Sequence, residues 1–205
     1  MKDLFLKSKP LLDSHKSKKH VEFEMRLGKI NNNMFDTNVG RDAFMEVMKA
    51  LRVYKEWESV KESTTSVYYK GPVRMSIDED TENVTTVRKQ KLQMIDHYLK
   101  DRPFDVRFCV SEELPVDDDI SDEVMDYVRH KQRVSFLRKN LSIDMTVVSG
   151  DPDDLDDENE ESYEIEMEIV DPTKVNDNDT FYNILHKIEC ILKTLSKDKT
   201  QTHSQ

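Results

Sequence analysis

Two short stretches far apart in the chain alternate glutamate with apolar residues: Glu22-Phe23-Glu24-Met25-Arg26 and Glu164-Ile165-Glu166-Met167-Glu168. Oxygen donors grouped in this way suit a hard divalent cation, magnesium or manganese, and not zinc. Neighbouring antiparallel strands would bring Glu22, Glu24 and one or two of Glu164, Glu166 and Glu168 around a single ion. Such an ion keeps coordination positions for water and for a phosphate oxygen. Opposed to the glutamates are Arg74, Lys89, Arg107, Lys131 and Arg133, with Arg129 a further candidate. Arginine forks match phosphate oxygens and lysine supplies a point charge. A metal plus this many cations exceeds what a monophosphate requires, whereas a triphosphate carries about four negative charges near neutral pH. The inventory therefore points to triphosphate hydrolysis, with transition-state charge held by metal and cations.

Period-two alternation, the mark of a strand, recurs along the chain and must position these groups. It is clear over 21–27, 73–78, 106–113, 142–148 and 163–169, less clean over 127–136, and weakest over 84–93, where Lys89 and Lys91 share a parity. One reading turns each polar face to water over a sheet core. However, the polar faces are segregated by sign, and three carboxylates at i, i+2 and i+4 on one strand face repel each other unless cations sit nearby. A closed barrel with charged faces inward supplies those cations across a lumen, its apolar faces outside and covered by helices. Residues 38–52, cappable by Asn38 or Asp36, and 179–196 carry apolar residues at helical spacing, the latter also a candidate partner or dimer surface. Pro72, Pro103 and Pro115 mark turns or strand ends. The expected organisation is a short helical or mobile lead-in over 1–19, one barrel domain over 20–196 and a disordered tail over 197–205. The acidic stretches 117–123 and 150–161 read as loops, the former with a short helix around 120–126; the latter lacks the ligand spacing of an EF-hand calcium loop.

Composition sets the outer bounds. Hydrophobic and charged residues each make up 36% of the 205 residues, against roughly 45–50% and 25% in an average domain. A barrel with a charged interior has a small conventional core, which fits. The net charge of -11 argues against sequence-neutral binding along a nucleic-acid backbone but leaves room for a local basic pocket. No apolar run is long enough to span a membrane, and no apolar leader precedes the first strand. Cys109 and Cys190 make neither a disulfide framework nor a four-ligand zinc site, so an intracellular setting is expected, and Cys109 reads as a small spacer rather than a nucleophile.

The motif pair Glu22-x-Glu24-x-Arg26 and Glu164-x-Glu166-x-Glu168 resembles the two metal-binding strands of the triphosphate tunnel metalloenzymes. Arg129-x-Lys131-x-Arg133 followed by Asp144-x-Thr146, and Arg107 six residues before Glu113, are similar to the RNA 5′-triphosphatases of fungal, protist and large DNA-virus capping systems. The similarity runs from about 21 to 170. The resemblance implies a mainly β fold, a closed eight-stranded antiparallel tunnel with a few packing helices. It implies Glu22, Glu24 and Glu168 as direct metal ligands, with Glu164 and Glu166 nearby. Arg74, Lys89, Arg107, Arg129, Lys131 and Arg133 would hold the phosphates, Glu113 would position or deprotonate water, and Asp144 and Thr146 would orient side chains. The implied reaction removes the γ-phosphate from 5′-triphosphate RNA, the first step of mRNA capping, with manganese-supported hydrolysis of free nucleoside triphosphates as a lesser activity. A separate guanylyltransferase would complete the cap, and relatives include both single chains and homodimers. Two alternatives stand beside it: a tunnel phosphohydrolase for inorganic tripolyphosphate or thiamine triphosphate, and a non-enzymatic binding subunit.

Overall fold

The computed structural model describes residues 1–117, 124–150 and 161–195. Its strands are β1 (Val21–Asn31), β2 (Met34–Asp36), β3 (Ser59–Lys70), β4 (Val73–Asp78), β5 (Val84–His97), β6 (Asp105–Pro115), β7 (Tyr127–Arg138), β8 (Leu141–Ser149) and β9 (Ser162–Ile169). Three helices accompany them: α1 (Lys2–His15), α2 (Arg41–Val53) and α3 (Asn178–Thr194). The strands run β2-β1-β6-β5-β4-β3-β7-β8-β9, and β9 pairs back onto β1 through Glu24↔Glu168, Met25↔Met167 and Arg26↔Glu166. Eight antiparallel strands thus close into a barrel. β2 is a short extension hydrogen-bonded to the end of β1.

Strand alternation puts the two residue classes on opposite faces of the wall. Outward lie Phe23, Met25 and Leu27 of β1, Val106, Phe108 and Val110 of β6, and Ile165, Met167 and Ile169 of β9, all buried. The helices cover this side, with Phe44, Val47 and Leu51 of α2 and Phe181, Leu185, Ile188 and Leu192 of α3 buried in the same core. Each such side chain stabilises the fold by roughly 1.5–3 kcal/mol. The core therefore sits outside the barrel, as inward-facing charge requires. Of the two expectations for the lead-in, the helical one matches the structure: α1 buries Leu4 and Leu12 completely, and Phe5 packs against Phe181 of α3.

Three details differ from the sequence reading. β1 continues through Gly28 to Asn31 and turns at Asn32 and Asn33, both with positive φ, into β2. Helix α2 starts after Gly40 without a side-chain cap; the Asn38 carboxamide oxygen accepts the N–H of Gly40 and that of Tyr163, tying the loop to β9. A bulge between Lys91 and Gln93 switches the parity of β5. Residues 124–126 are not helical, and the rest of the short helix expected around 120–126 lies outside the described residues, as do most of the 150–161 connector and the 197–205 tail.

Candidate active site inside the barrel

The inward faces meet in one cavity of about 250 Å³. β1 contributes Glu22, Glu24 and Arg26, β5 Lys89, β6 Glu113, β7 Lys131 and Arg133, β8 Asp144, and β9 Glu166 and Glu168. The remaining wall is Ser63, Thr65, Val67 and Tyr69 of β3, Arg74 and Ser76 of β4, and Val87. The register explains the grouping, since Glu24 faces Glu168, Arg26 faces Glu166, Asp144 also faces Glu166, and Lys89 faces Glu113.

Two charge networks result. In the first, Arg26 bonds Glu24 and lies 2.9 Å from Glu166. Arg133 reaches Glu166 at 3.1 Å and Asp144 at 3.5 Å, and its Nε donates to Thr146 Oγ1 at 3.0 Å. Burial alone would raise the Glu166 carboxyl, but Arg26, Arg133 and Lys131 outweigh it and hold it at about 2. Burial, partly offset by Glu166 and Glu164, lowers the Lys131 ammonium to about 8. In the second network Lys89 Nζ bridges Glu113 at 2.6 Å and Glu22 at 2.8 Å. Burial raises Glu22; Glu113, although also buried, is held below the usual carboxylate range by Lys89.

Glu168 belongs to neither network. Burial, then the charges of Glu22, Asp144 and Glu24, push its carboxyl up to about 7. As placed, no three carboxylate, histidine or cysteine groups among the described residues form a cage for an ion. The donors nonetheless fit one: Glu22, Glu24 and Glu168 present hard oxygens on one stretch of wall, and the crowding around Glu168 is what a divalent cation relieves.

Residues 36–200 match the family described as mRNA capping enzyme, beta chain, the mRNA triphosphatases. The chain belongs to this family. It is a hydrolase acting on the 5′-triphosphate of RNA. The S. pombe RNA triphosphatase Pct1 has a similar structure, with a TM-score of 0.76 at 17% identity, over 92% of this chain and 93% of the chain in that structure. The mimivirus capping enzyme triphosphatase aligns with a TM-score of 0.66 at 16% identity, covering 94% of this chain and 98% of that one. Pct1 has also been solved in complex with the Spt5 CTD, and that structure aligns with a TM-score of 0.69 at 16% identity, over 93% of this chain and 90% of that one. No match was found among curated protein sequences. The tunnel fold is thus shared, while the glutamates of β1 lie ahead of the matched family segment and are brought to the site by barrel closure.

In this RNA triphosphatase not every expected residue faces the cavity. Arg107 is on the inward parity but is held by Asp96 in a two-pronged pair (2.6 and 2.8 Å), with its guanidinium 4.5 Å from the Phe35 ring. Arg129 lies against the Tyr69 and Tyr127 rings, 5.9 Å from each. Glu164 is buried and accepts from Thr37 Oγ1 at 3.3 Å. Thr146 is buried behind Arg133. Lys91 is exposed, whereas Lys89 lines the cavity. Cys109 is on the inward parity of β6, and burial raises its thiol, consistent with a spacer. Sequence reasoning missed Arg26 as a site residue, although it shares the parity of Glu22 and Glu24. It also missed Tyr69 and the small residues of β3, which carry no charge to mark them.

Proposed function

We propose that the chain is a metal-dependent polynucleotide 5′-triphosphatase that removes the γ-phosphate of triphosphate-ended RNA. The observation that carries this reading is one cavity in which Glu168, crowded by the carboxylates of Glu22, Asp144 and Glu24, is enclosed together with Lys89, Arg74, Lys131 and Arg133. Glu22, Glu24 and Glu168 would hold a magnesium or manganese ion, with Glu164 and Glu166 behind them, and when bound it would supply Lewis-acid stabilisation of phosphoryl oxygens. Arg74, Lys89, Lys131 and Arg133 would bind the phosphate chain and neutralise charge that spreads over the equatorial oxygens. Asp144 and Thr146 hold the Arg133 fork in orientation. Glu113, kept ionised by Lys89, would orient the attacking water and accept its proton. The water oxygen bonds to γ-phosphorus, the bond to the β-bridging oxygen breaks, and orthophosphate and diphosphate-ended RNA leave.

The charged lining addresses phosphates through Arg74, Lys89, Lys131 and Arg133, so free nucleoside triphosphates would also be hydrolysed. The product end would pass to a separate guanylyltransferase in an intracellular compartment. No helix among the described residues is long and apolar enough to cross a membrane. The test compares label release from γ-labelled triphosphate RNA and from tripolyphosphate at matched concentrations, with manganese, with magnesium and with chelator. Metal-dependent release from RNA is expected. Turnover of tripolyphosphate alone, or release unaffected by chelator, would replace this reading with one of the two alternatives.

A further inference from the structure

The four cations assigned to the phosphates are not held alike. Lys89 is bridged between Glu113 and Glu22, and Arg133 between Glu166 and Asp144. Lys131 lies in the field of Glu166 and Glu164. Arg74 lines the same cavity but pairs with no carboxylate among the described residues. What it meets is an aromatic ring: its Cζ lies 5.3 Å from the centroid of Tyr69. Tyr69 is the cross-strand partner of Arg74 on β4 and of Tyr127 on β7, so the three form one row over adjacent strands. Tyr127 stacks on Tyr69 at 4.4 Å and 16°, and Tyr69 is 5% exposed, which fixes its ring plane.

The kind of support matters. A carboxylate partner attracts a guanidinium but occupies its N–H fork and cancels its charge. A ring face attracts the cation through its quadrupole without taking up the N–H donors that a phosphate needs. Arg74 thus combines a fixed position with an uncancelled charge. That charge reaches Glu113, whose carboxyl it helps to hold below the ordinary range.

We infer that Tyr69, backed by Tyr127, is a positioning residue: its ring face holds the Arg74 guanidinium in the cavity with the fork left open for phosphate oxygens. The inference rests on the triphosphatase reading and adds to it the residue that sets one of its cations.

The test is a double-mutant cycle on kcat/KM for γ-phosphate release from triphosphate RNA with manganese. Tyr69→Leu should lower kcat/KM about tenfold, whereas Tyr69→Phe, which keeps the ring, should stay within about twofold of wild type. On an Arg74→Ala background, Tyr69→Leu should cost less than about twofold more, because its effect runs through Arg74. Tyr127→Leu, which removes the supporting ring from the far side, should cost about threefold, again only while Arg74 is present. Circular dichroism on each variant separates lost positioning from lost fold, and Tyr127→Leu carries the cycle if Tyr69→Leu does not fold. Losses that add to that of Arg74→Ala overturn the inference, as does a Tyr69→Phe as impaired as Tyr69→Leu. An Arg74→Ala with normal kcat/KM overturns it too, while hydrolysis by wild type leaves the triphosphatase reading standing. No metal-dependent release by the wild-type protein overturns both.

Discussion

Glu166 and Glu168 stand two positions apart on the same face of β9, yet one carboxyl sits at about 2 and the other at about 7. Both are buried enough for desolvation to raise them. What separates them is the register: Glu166 is set against Arg26 and close to Arg133, whereas Glu168 is set against Glu24, with Glu22 and Asp144 adding like charge. One half of the cavity is therefore a self-neutralised ion-pair network that fixes the barrel wall. The other half, around Glu168, is short of positive charge, which is where the proposed cation would sit. Proximity in sequence says little about role here; the cross-strand neighbour decides it.

Four measurements would break or sharpen this contrast. The largest effect is expected on catalysis: Glu168→Ala and Glu24→Ala should each lower γ-phosphate release by on the order of a thousandfold, by dismantling the ion site. Near-normal turnover in both would move the ion elsewhere. Glu166→Ala should act mainly on stability, with urea denaturation showing a loss of about 3–5 kcal/mol, because Arg26 and Arg133 lose a buried partner. A stability change under about 1 kcal/mol would show that the network is not structural. Arg133→Lys should recover part, not all, of the turnover lost in Arg133→Ala, since the ammonium restores charge but not the fork that meets Thr146, Asp144 and Glu166.

The smallest effect is in the pH dependence of the metal-free protein. Folded Glu168 titrates near 7 against an ordinary value of 4.5. Between these values the folded state keeps a proton that the unfolded chain has lost, so this group's contribution to stability falls as pH rises from 4.5 to 7 and is level above. Glu166 works in the opposite sense: its contribution is present above 4.5 and is lost as pH falls toward 2. Thermal melts in chelator from pH 5 to 8, wild type against Glu168→Gln, isolate the first term. The melting temperatures of the two should diverge toward alkaline pH, with the variant the more stable. Parallel curves would mean that Glu168 is not crowded.

The barrel was legible because its charge is periodic. Glu22, Glu24 and Arg26, and Glu164 to Glu168, alternate with core residues, and only an enclosed lumen reconciles faces of opposite sign. The illegible parts are those where periodicity carries no charge or breaks. The inward face of β3 is Ser63, Thr65, Val67 and Tyr69, so nothing in the pattern says which way it points. The bulge after Lys91 brings Asp96 to the parity of Arg107, and the resulting pair diverts an arginine expected at the phosphates. Gly28 reads as the end of a strand, but the strand passes through it, since a missing side chain is what lets Phe35 lie there.

The seam between β1 and β9 has a consequence for biosynthesis. The carboxylates assigned to the ion come from the first and last strands, joined by only three residue pairs. Such long-range pairing is slow to form, because the entropy of closing the loop precedes any reward from contact. A nascent chain still on the ribosome, with residues beyond Glu161 not yet emerged, holds the strands of the proposed phosphate-binding cations but only two of the three carboxylates proposed for the ion. Hydrolytic competence should therefore appear abruptly, with the final strand, rather than grow with chain length.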